Sequence, residues 1–299
     1  MRILMVGAGA VGGYFGALLT RAGVDLTFLV RPETHDALKE QGLKIKSVNG
    51  DFEVRPRSVT DPQSAGPIDL IVLAVKCYDI DEALAAIKPV VSDQMTVLTL
   101  QNGVDTEERA QAILGPDRIL GGVTYITSRR AAPGVIEHFC RGKITLGELS
   151  GRKTDRLLSI YNLFIQSGIP TTLSEDIRQT KWEKLCWNVT FNPLSVILNE
   201  RVRAVLESQE LLEVVRGAVR EVISVAASTG VKLSDRLLEE TISISDQFRD
   251  YYTSMYEDFT AGKETEIEYL NGYVVKQGRE KGVPTPINYT LYALVKGLL

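Results

Sequence analysis

A glycine-rich turn near the amino terminus constrains the fold of this chain more than any other feature. The short apolar run Arg2–Val6 leads directly into Gly7-Ala-Gly9-Ala-Val-Gly12, and a helical pattern follows to about Ala22. In a strand–turn–helix unit, such glycines permit a tight turn, close approach of a pyrophosphate and close packing of the helix on the strand. The helix N-terminus supplies free N–H groups and a positive dipole end for phosphates. The alternative is a purely structural turn, but the strand–turn–helix context favours a dinucleotide site. The residues predicted to form it are Gly7, Ala8, Gly9, Ala10, Val11 and Gly12.

The first half of the chain alternates between apolar runs and helical patterns. Runs at 25–30, 69–75 and 95–100 read as strands buried in a parallel sheet, with helical patterns at 33–41 and 79–87. Segments 119–127, 134–139 and 143–148 read as further strands at the far side of the sheet. This rhythm predicts an α/β fold with a Rossmann-type doubly wound sheet.

The second half changes character from about Asp176. Apolar residues recur at spacings of three and four, with one long helix over about 211–225 ended by Gly230. Similar patterns at 233–242, 244–258, 264–281 and 286–298 predict more helices, and no strand is expected after about 173. We therefore expect a cofactor-binding domain at 1–172 and an all-helical substrate and catalytic domain at 173–299.

Composition excludes several classes of function. Lys and Arg total 34 against 38 Asp and Glu, so the net charge of −4 argues against a general nucleic-acid binder. The two histidines and three cysteines show no zinc-ligand spacing, so no metal is expected and histidine is not expected to move the proton. The cysteine count favours reduced thiols, and no apolar run is long enough to cross a membrane. We expect a soluble, cytoplasmic protein without a membrane partner.

The end of the second predicted strand indicates which dinucleotide binds. NAD-binding proteins usually carry an acidic residue there for the ribose 2′-hydroxyl, whereas this strand ends in Arg31. An arginine favours a 2′-phosphate, so NADP(H) is the predicted cofactor. The alternative is a solvated Arg31 with Glu33 at the ribose. Lys76 follows another strand and could add a second cation, or could simply be a solvated loop lysine.

The strongest catalytic signal is a polar stripe on an apolar helix. Lys184, Asn188 and Asn192 are spaced four apart and so share one helix face, among mostly apolar neighbours. Desolvation and nearby cations would lower the pKa of a lysine toward the range of a general acid, and the amides could hydrogen-bond a substrate. The alternative is a structural stripe satisfied by backbone groups.

With these motifs the chain resembles the ketopantoate reductase (2-dehydropantoate 2-reductase) family over essentially its whole length. The resemblance is carried by motifs in both halves: Gly7-Ala-Gly9-Ala-Val-Gly12-Gly13, Arg31, Leu73-Ala-Val-Lys76, Leu100-Gln-Asn102-Gly103, Lys184-Leu-Cys-Trp-Asn188-Val-Thr-Phe-Asn192-Pro193-Leu194, Ser254-Met255 and Thr265-Glu266-Ile-Glu-Tyr-Leu-Asn271-Gly272.

The resemblance implies NADPH-dependent reduction of 2-dehydropantoate to (R)-pantoate, a step toward pantothenate and coenzyme A. It implies that Lys184 is the general acid and that Glu266 contacts substrate and helps poise the lysine. Arg31 and Lys76 would hold the 2′-phosphate end of NADP. The implied contacts to substrate come from Asn188, Asn192, Ser254 and Asn102, the last also near the nicotinamide.

Some assignments and rival functions stay open at the level of sequence. The roles of Ser254 and Glu266 depend on resemblance alone, because acidic residues at 264, 266 and 268 would also suit the first turn of a helix. A rival enzyme would reduce another 2-oxo acid, and a rival of another class would be a non-catalytic NADP(H)-binding redox sensor. The helical half could also serve a homodimer.

Overall fold

The computed structural model describes all 299 residues, and these divide into two compact units. The first unit comprises Met1–Gln101 and Asp105–Ile177, and the second comprises Asn102–Val104 and Arg178–Leu299. The short segment Asn102–Val104 therefore belongs to the second unit although sequence from the first unit flanks it on both sides.

All strands lie in the first unit and form one ten-stranded sheet. They are β1 (Ile3–Val6), β2 (Leu26–Leu29), β3 (Leu43–Ser47), β4 (Phe52–Val54), β5 (Arg57–Val59), β6 (Leu70–Leu73), β7 (Thr96–Thr99), β8 (Ile119–Ala132), β9 (Val135–Glu148) and β10 (Thr171–Leu173). The strand order is β4-β3-β9-β8-β7-β6-β1-β2-β5, and β10 pairs with β9.

Pairing in the sheet is mostly parallel. β1 lies between β2 and β6 with both neighbours parallel, and β7 continues the parallel array beside β6. The strands β1, β2, β6 and β7 are buried along their whole length, as their largely apolar sequences, broken only by threonines in β2 and β7, predict. The prediction of a doubly wound α/β sheet is confirmed.

The far side of the sheet differs in detail from the prediction. Segments 134–139 and 143–148 are one strand, β9, which pairs with β8 as an antiparallel hairpin. The register shifts at Arg141 and Gly142, whose φ angles are 63° and 106°. Such a bulge lets a strand continue through a break in its pattern, which is why the sequence suggested two strands.

Twelve helices complete the fold. They are α1 (Ala10–Arg21), α2 (Pro32–Gln41), α3 (Ile80–Ile87), α4 (Thr106–Leu114), α5 (Asp155–Gln166), α6 (Ile177–Leu198), α7 (Val202–Leu206), α8 (Gln209–Ser228), α9 (Leu237–Ser245), α10 (Ser254–Thr260), α11 (Asn271–Lys281) and α12 (Pro286–Leu298). In the first unit, two apolar clusters fill the core, one including Met5, Phe15 and Phe28 and the other including Leu4, Ile71 and Leu84.

The second unit is helical, as predicted, around a core that includes Leu185, Phe191 and Val222. Two of the predicted helices are wrong in extent. The pattern 244–258 is broken between the end of α9 at Ser245 and the start of α10 at Ser254. The pattern 264–281 becomes a helix only at Asn271, after a short 3₁₀ turn at Glu266–Glu268.

Several elements were not predicted, namely the helices α4, α5 and α7 and the short strands β3, β4, β5 and β10. β3 pairs with β9 and β5 pairs with β2, so both short strands depend on partners distant in sequence and carry little local signal. No helix of the structure combines the length and the apolar character that crossing a membrane requires.

Candidate active site

The glycine-rich turn joins β1 to α1 at the carboxyl end of β1. Gly7 has a φ of 98°, a conformation that L side chains rarely adopt. A Cβ added to Gly12 would meet the carbonyl group of Gly7 and the Cβ of Ala74, so this glycine permits close packing of α1. A Cβ added to Gly9 would meet no heavy atom within 4 Å. Gly9 thus faces open space, where a ligand could approach the backbone.

The first turn of α1 is left available to a ligand. Gly9 is its N-cap, and no side chain caps the helix. Ala10 opens the helix and Val11 follows, while Ala8 is buried in the turn. Because the first N–H groups of a helix have no partner within it, this end attracts anions. These features fit the pyrophosphate of a dinucleotide.

Two charged residues meet at the carboxyl edge of the same sheet. Arg31 is the N-cap residue of α2, directly beyond β2, and its Nη2 donates to Oδ1 of Asp79 at 2.8 Å. Its side chain is still 75% exposed. Lys76 lies beyond β6 and precedes the 3₁₀ turn Cys77–Asp79. Glu33, the alternative ribose ligand, is exposed in the first turn of α2.

In the helical unit, the predicted polar stripe lies on α6. Asn188 and Asn192 are 5% and 1% exposed, and Lys184 is partly buried. Oδ1 of Asn192 is buried without a hydrogen-bond partner. Since buried polar groups are normally satisfied, this amide oxygen is available to accept a hydrogen bond from a ligand.

The side chain of Asn102 links Lys184 to Glu266. Nζ of Lys184 donates to Oδ1 of Asn102 at 2.8 Å, and Nδ2 of Asn102 donates to Oε2 of Glu266 at 3.0 Å. All three residues belong to the helical unit. A cation and a carboxylate are thereby connected through one amide, which fixes the orientation of the amide because its oxygen must face the ammonium group. Hydrogen bonds to charged groups are stronger than those between neutral groups, so the bond to Asn102 holds the ammonium of Lys184 in position.

The secondary structure around Glu266 differs from the prediction. It does not open the first turn of a helix but begins the 3₁₀ turn Glu266–Glu268, and it is 5% exposed. Solvation in a helix turn therefore does not explain this carboxylate. Ser254, in contrast, is exposed in the first turn of α10, whose N-cap is Thr253.

The histidines and the buried cysteine of the helical unit have structural surroundings. His138 lies in β9 with Nδ1 at 2.8 Å from Oγ of Ser47, and burial lowers its pKa. Nδ1 of His35 lies 2.9 Å from Oγ of Ser58. Burial raises the pKa of the Cys186 thiol to about 12, so this thiol is protonated and unreactive at neutral pH. No group of three or more His, Cys, Asp or Glu side chains is arranged to hold a metal ion.

Three further polar residues near these positions were not singled out by their sequence. Asp79 is one of them, because no sequence pattern around it indicates that it pairs with Arg31. Thr265 has a buried hydroxyl without a partner, and Gln101, after β7, has both amide atoms buried without partners. The only signal in the sequence for Gln101 and Thr265 is that they stand next to Asn102 and Glu266.

Two family models match the chain, one in each half. The model described as ketopantoate reductase PanE/ApbA matches residues 3–151, and the model of its C-terminal part matches residues 176–299.

Similar proteins and structures cover nearly the whole chain. The 2-dehydropantoate 2-reductase of Pyrococcus horikoshii is 32% identical over 99% of this chain and 97% of its own length. A structure of 2-dehydropantoate 2-reductase from Geobacter metallireducens is 34% identical, with a TM-score of 0.94 and full coverage of both chains. A ternary structure of D-mandelate dehydrogenase with NADH and anilino(oxo)acetate is 26% identical, with a TM-score of 0.92 over 100% of this chain and 98% of that one.

Proposed function

Because the chain belongs to the ketopantoate reductase family, and is therefore an oxidoreductase, we propose that it reduces 2-dehydropantoate to (R)-pantoate with NADPH. This reaction leads toward pantothenate and coenzyme A. The observation that carries the proposal is the hydrogen-bonded chain Lys184–Asn102–Glu266, on the same unit as the unsatisfied amide of Asn192. In this proposal, residues 1–172 bind the cofactor and residues 173–299 bind substrate and supply the proton.

The turn between β1 and α1 fits NADPH. The open side of Gly9 and the uncapped start of α1 suit a pyrophosphate, and the glycine-rich turn from Gly7 to Gly12 would cradle it through its backbone. Arg31 and Lys76 would bind the 2′-phosphate, since a guanidinium and an ammonium both favour an anion there. The bound cofactor supplies the hydride that adds to C2 of the 2-oxo acid.

Lys184 acts as the general acid. As the ketone accepts a hydride at C2, negative charge develops on its oxygen, and an N–H bond of the ammonium breaks while the O–H bond of pantoate forms. Oδ1 of Asn102 accepts a hydrogen bond from Nζ, which restricts the directions of the remaining N–H bonds of the ammonium. Glu266 accepts from Nδ2 of Asn102, fixes the far side of this amide and through it helps to position the lysine. The lysine then regains a proton from water.

The remaining polar groups bind substrate. The amides of Asn188 and Asn192 would hydrogen-bond the carboxylate or hydroxyl of the substrate, and binding would satisfy the buried Oδ1 of Asn192. Ser254 would contact the carboxylate, and Asn102 would lie near nicotinamide and substrate. No metal is required by this scheme.

Turnover of NADPH tests the proposal. NADPH oxidation is followed by the decrease in NADPH absorbance, with 2-dehydropantoate and with a panel of other 2-oxo acids as substrates. Lys184→Ala should lower kcat by about 10²- to 10⁴-fold, the usual contribution of a general acid, while NADPH binding is retained. Lys276→Ala, which removes an exposed lysine of the same unit, is the matched control and should be as active as the parent. Near-normal turnover of Lys184→Ala would exclude the lysine as the acid.

A second candidate is the reduction of another 2-oxo acid. It is favoured by the similarity to D-mandelate dehydrogenase, whose structure contains NADH and anilino(oxo)acetate. The same substrate panel separates the candidates, since kcat/KM would then be highest for a 2-oxo acid other than 2-dehydropantoate.

A further inference from the structure

The ion pair between Arg31 and Asp79 spans the carboxyl edge of the sheet. Arg31 follows β2 and Asp79 follows β6, and β1 lies between these two strands. Neighbouring strands are about 4.8 Å apart, so the two strand ends are separated by roughly 10 Å. The pair at 2.8 Å therefore bridges the end of β1, where the glycine-rich turn begins.

The side chain of Asp79 has no polar partner other than Arg31. It lies at the start of α3 but its side chain does not cap that helix, and its carboxylate makes its hydrogen bond to Arg31 alone. The Asp79 side chain is 27% exposed and that of Arg31 is 75% exposed. An exposed ion pair of this kind contributes little to the stability of the fold. Its effect should instead fall on a ligand that binds at Arg31.

NADPH and NADH differ in the charge that they bring to the Arg31–Asp79 ion pair. The 2′-phosphate of NADPH is a dianion at neutral pH, attracted by Arg31 and repelled by a carboxylate that lies within hydrogen-bond distance of the same guanidinium. The 2′-hydroxyl of NADH carries no charge, so a nearby carboxylate does not repel it, and a carboxylate oxygen and an amide oxygen can equally accept a hydrogen bond from it. Removal of the Asp79 charge should therefore change the affinity for one cofactor only.

We propose that Asp79 determines cofactor selectivity by competing with the 2′-phosphate for Arg31, so that it narrows the preference of this protein for NADPH over NADH. The proposal depends on the proposed function only in so far as Arg31 binds the 2′-phosphate. Asp79 acts here through Arg31 and does not itself take part in hydride or proton transfer.

Dissociation constants of the two cofactors test the inference without turnover. Binding of NADPH and of NADH is titrated by the change in nicotinamide fluorescence, for the parent protein and for Asp79→Asn, at low and at high salt. Asp79→Asn keeps the shape of the side chain and should tighten NADPH by roughly three- to tenfold, with NADH changed by less than about twofold. The gain should shrink at high salt, because exposed charges are screened.

Asp81→Asn is the matched control. Asp81 lies two residues further along, in the first turn of α3, and pairs with Arg109 at 2.9 Å, so its substitution removes the same charge without touching Arg31. It should change neither dissociation constant by more than about twofold.

The possible results separate the two proposals. Weaker binding of NADPH by Asp79→Asn would mean that the carboxylate orients Arg31 for the phosphate, and the inference would be wrong. An equal change for both cofactors, or the same change in Asp81→Asn, would also overturn it. A parent protein that binds neither cofactor would instead refute the proposed function itself.

Discussion

Alanine at Gly9 and at Gly12 should separate ligand binding from packing within a single turn. At Gly12 the new Cβ would lie 2.9 Å from the Cβ of Ala74 and would also overlap the carbonyl oxygen of Gly7. Backbone atoms cannot move aside cheaply, so the cost should reach the upper part of the usual range for overpacking, about 2–3 kcal/mol. The higher helix propensity of alanine returns at most about 1 kcal/mol.

At Gly9 the same substitution meets no neighbour. The added Cβ has no heavy atom within 4 Å, and the backbone angles of Gly9, φ −74° and ψ −165°, are open to any residue. Alanine is a poorer N-cap than glycine by up to about 1 kcal/mol, but it loses less entropy on folding by about 0.4–1 kcal/mol. The free energy of unfolding should therefore change by less than about 0.5 kcal/mol. If the pyrophosphate approaches the backbone here, NADPH should bind at least about tenfold more weakly, which corresponds to 1.4 kcal/mol.

The assay combines thermal unfolding with titration of NADPH. Gly12→Ala should lower the Tm of the first unit by about 2–12 °C, whereas Gly9→Ala should leave it nearly unchanged. The reasoning is refuted for binding if Gly9→Ala takes up NADPH as the parent does. It is refuted for packing if Gly12→Ala unfolds at the temperature of the parent.

Two further predictions concern the linking amide and the buried histidine. Asn102→Ala removes the hydrogen bonds to both Lys184 and Glu266. The bond to the ammonium of the acid is the one that bears on proton transfer, and its worth of about 1.5–3 kcal/mol corresponds to a fall in kcat/KM of roughly 10- to 100-fold. Steady-state kinetics with NADPH and 2-dehydropantoate would measure this, and an unchanged kcat/KM would show that the amide does not support the lysine. Because burial lowers the pKa of His138, the unfolded chain takes up its proton first as the pH falls below about 6.5, and the folded state loses stability until the lowered pKa is passed. Denaturant unfolding at pH 5–8 should show this slope in the parent and a smaller slope in His138→Gln; equal slopes would exclude the histidine as its source.

The sequence determined those parts of the fold and of the candidate site that depend on neighbours within a few residues. The spacing of Gly7, Gly9 and Gly12 predicts a strand–turn–helix unit, and the structure contains it. The period of four predicts that Lys184 and Asn188 share a helix face, because 3.6 residues per turn bring such positions together. Continuous apolar runs likewise predict the central strands, since only a sheet covered on both faces buries every side chain.

The tertiary structure decided which distant residues meet. Lys184 and Asn102 are 82 positions apart, Asn102 and Glu266 are 164 apart, and Arg31 and Asp79 are 48 apart. Resemblance to a family assigned roles to some of these side chains, but no local pattern joins them. Asn102 even belongs to the helical unit although it follows directly on the sheet of the first unit. Periodicity reports only on neighbours within a turn or a strand, whereas the partner of a charged side chain depends on how the chain returns through space.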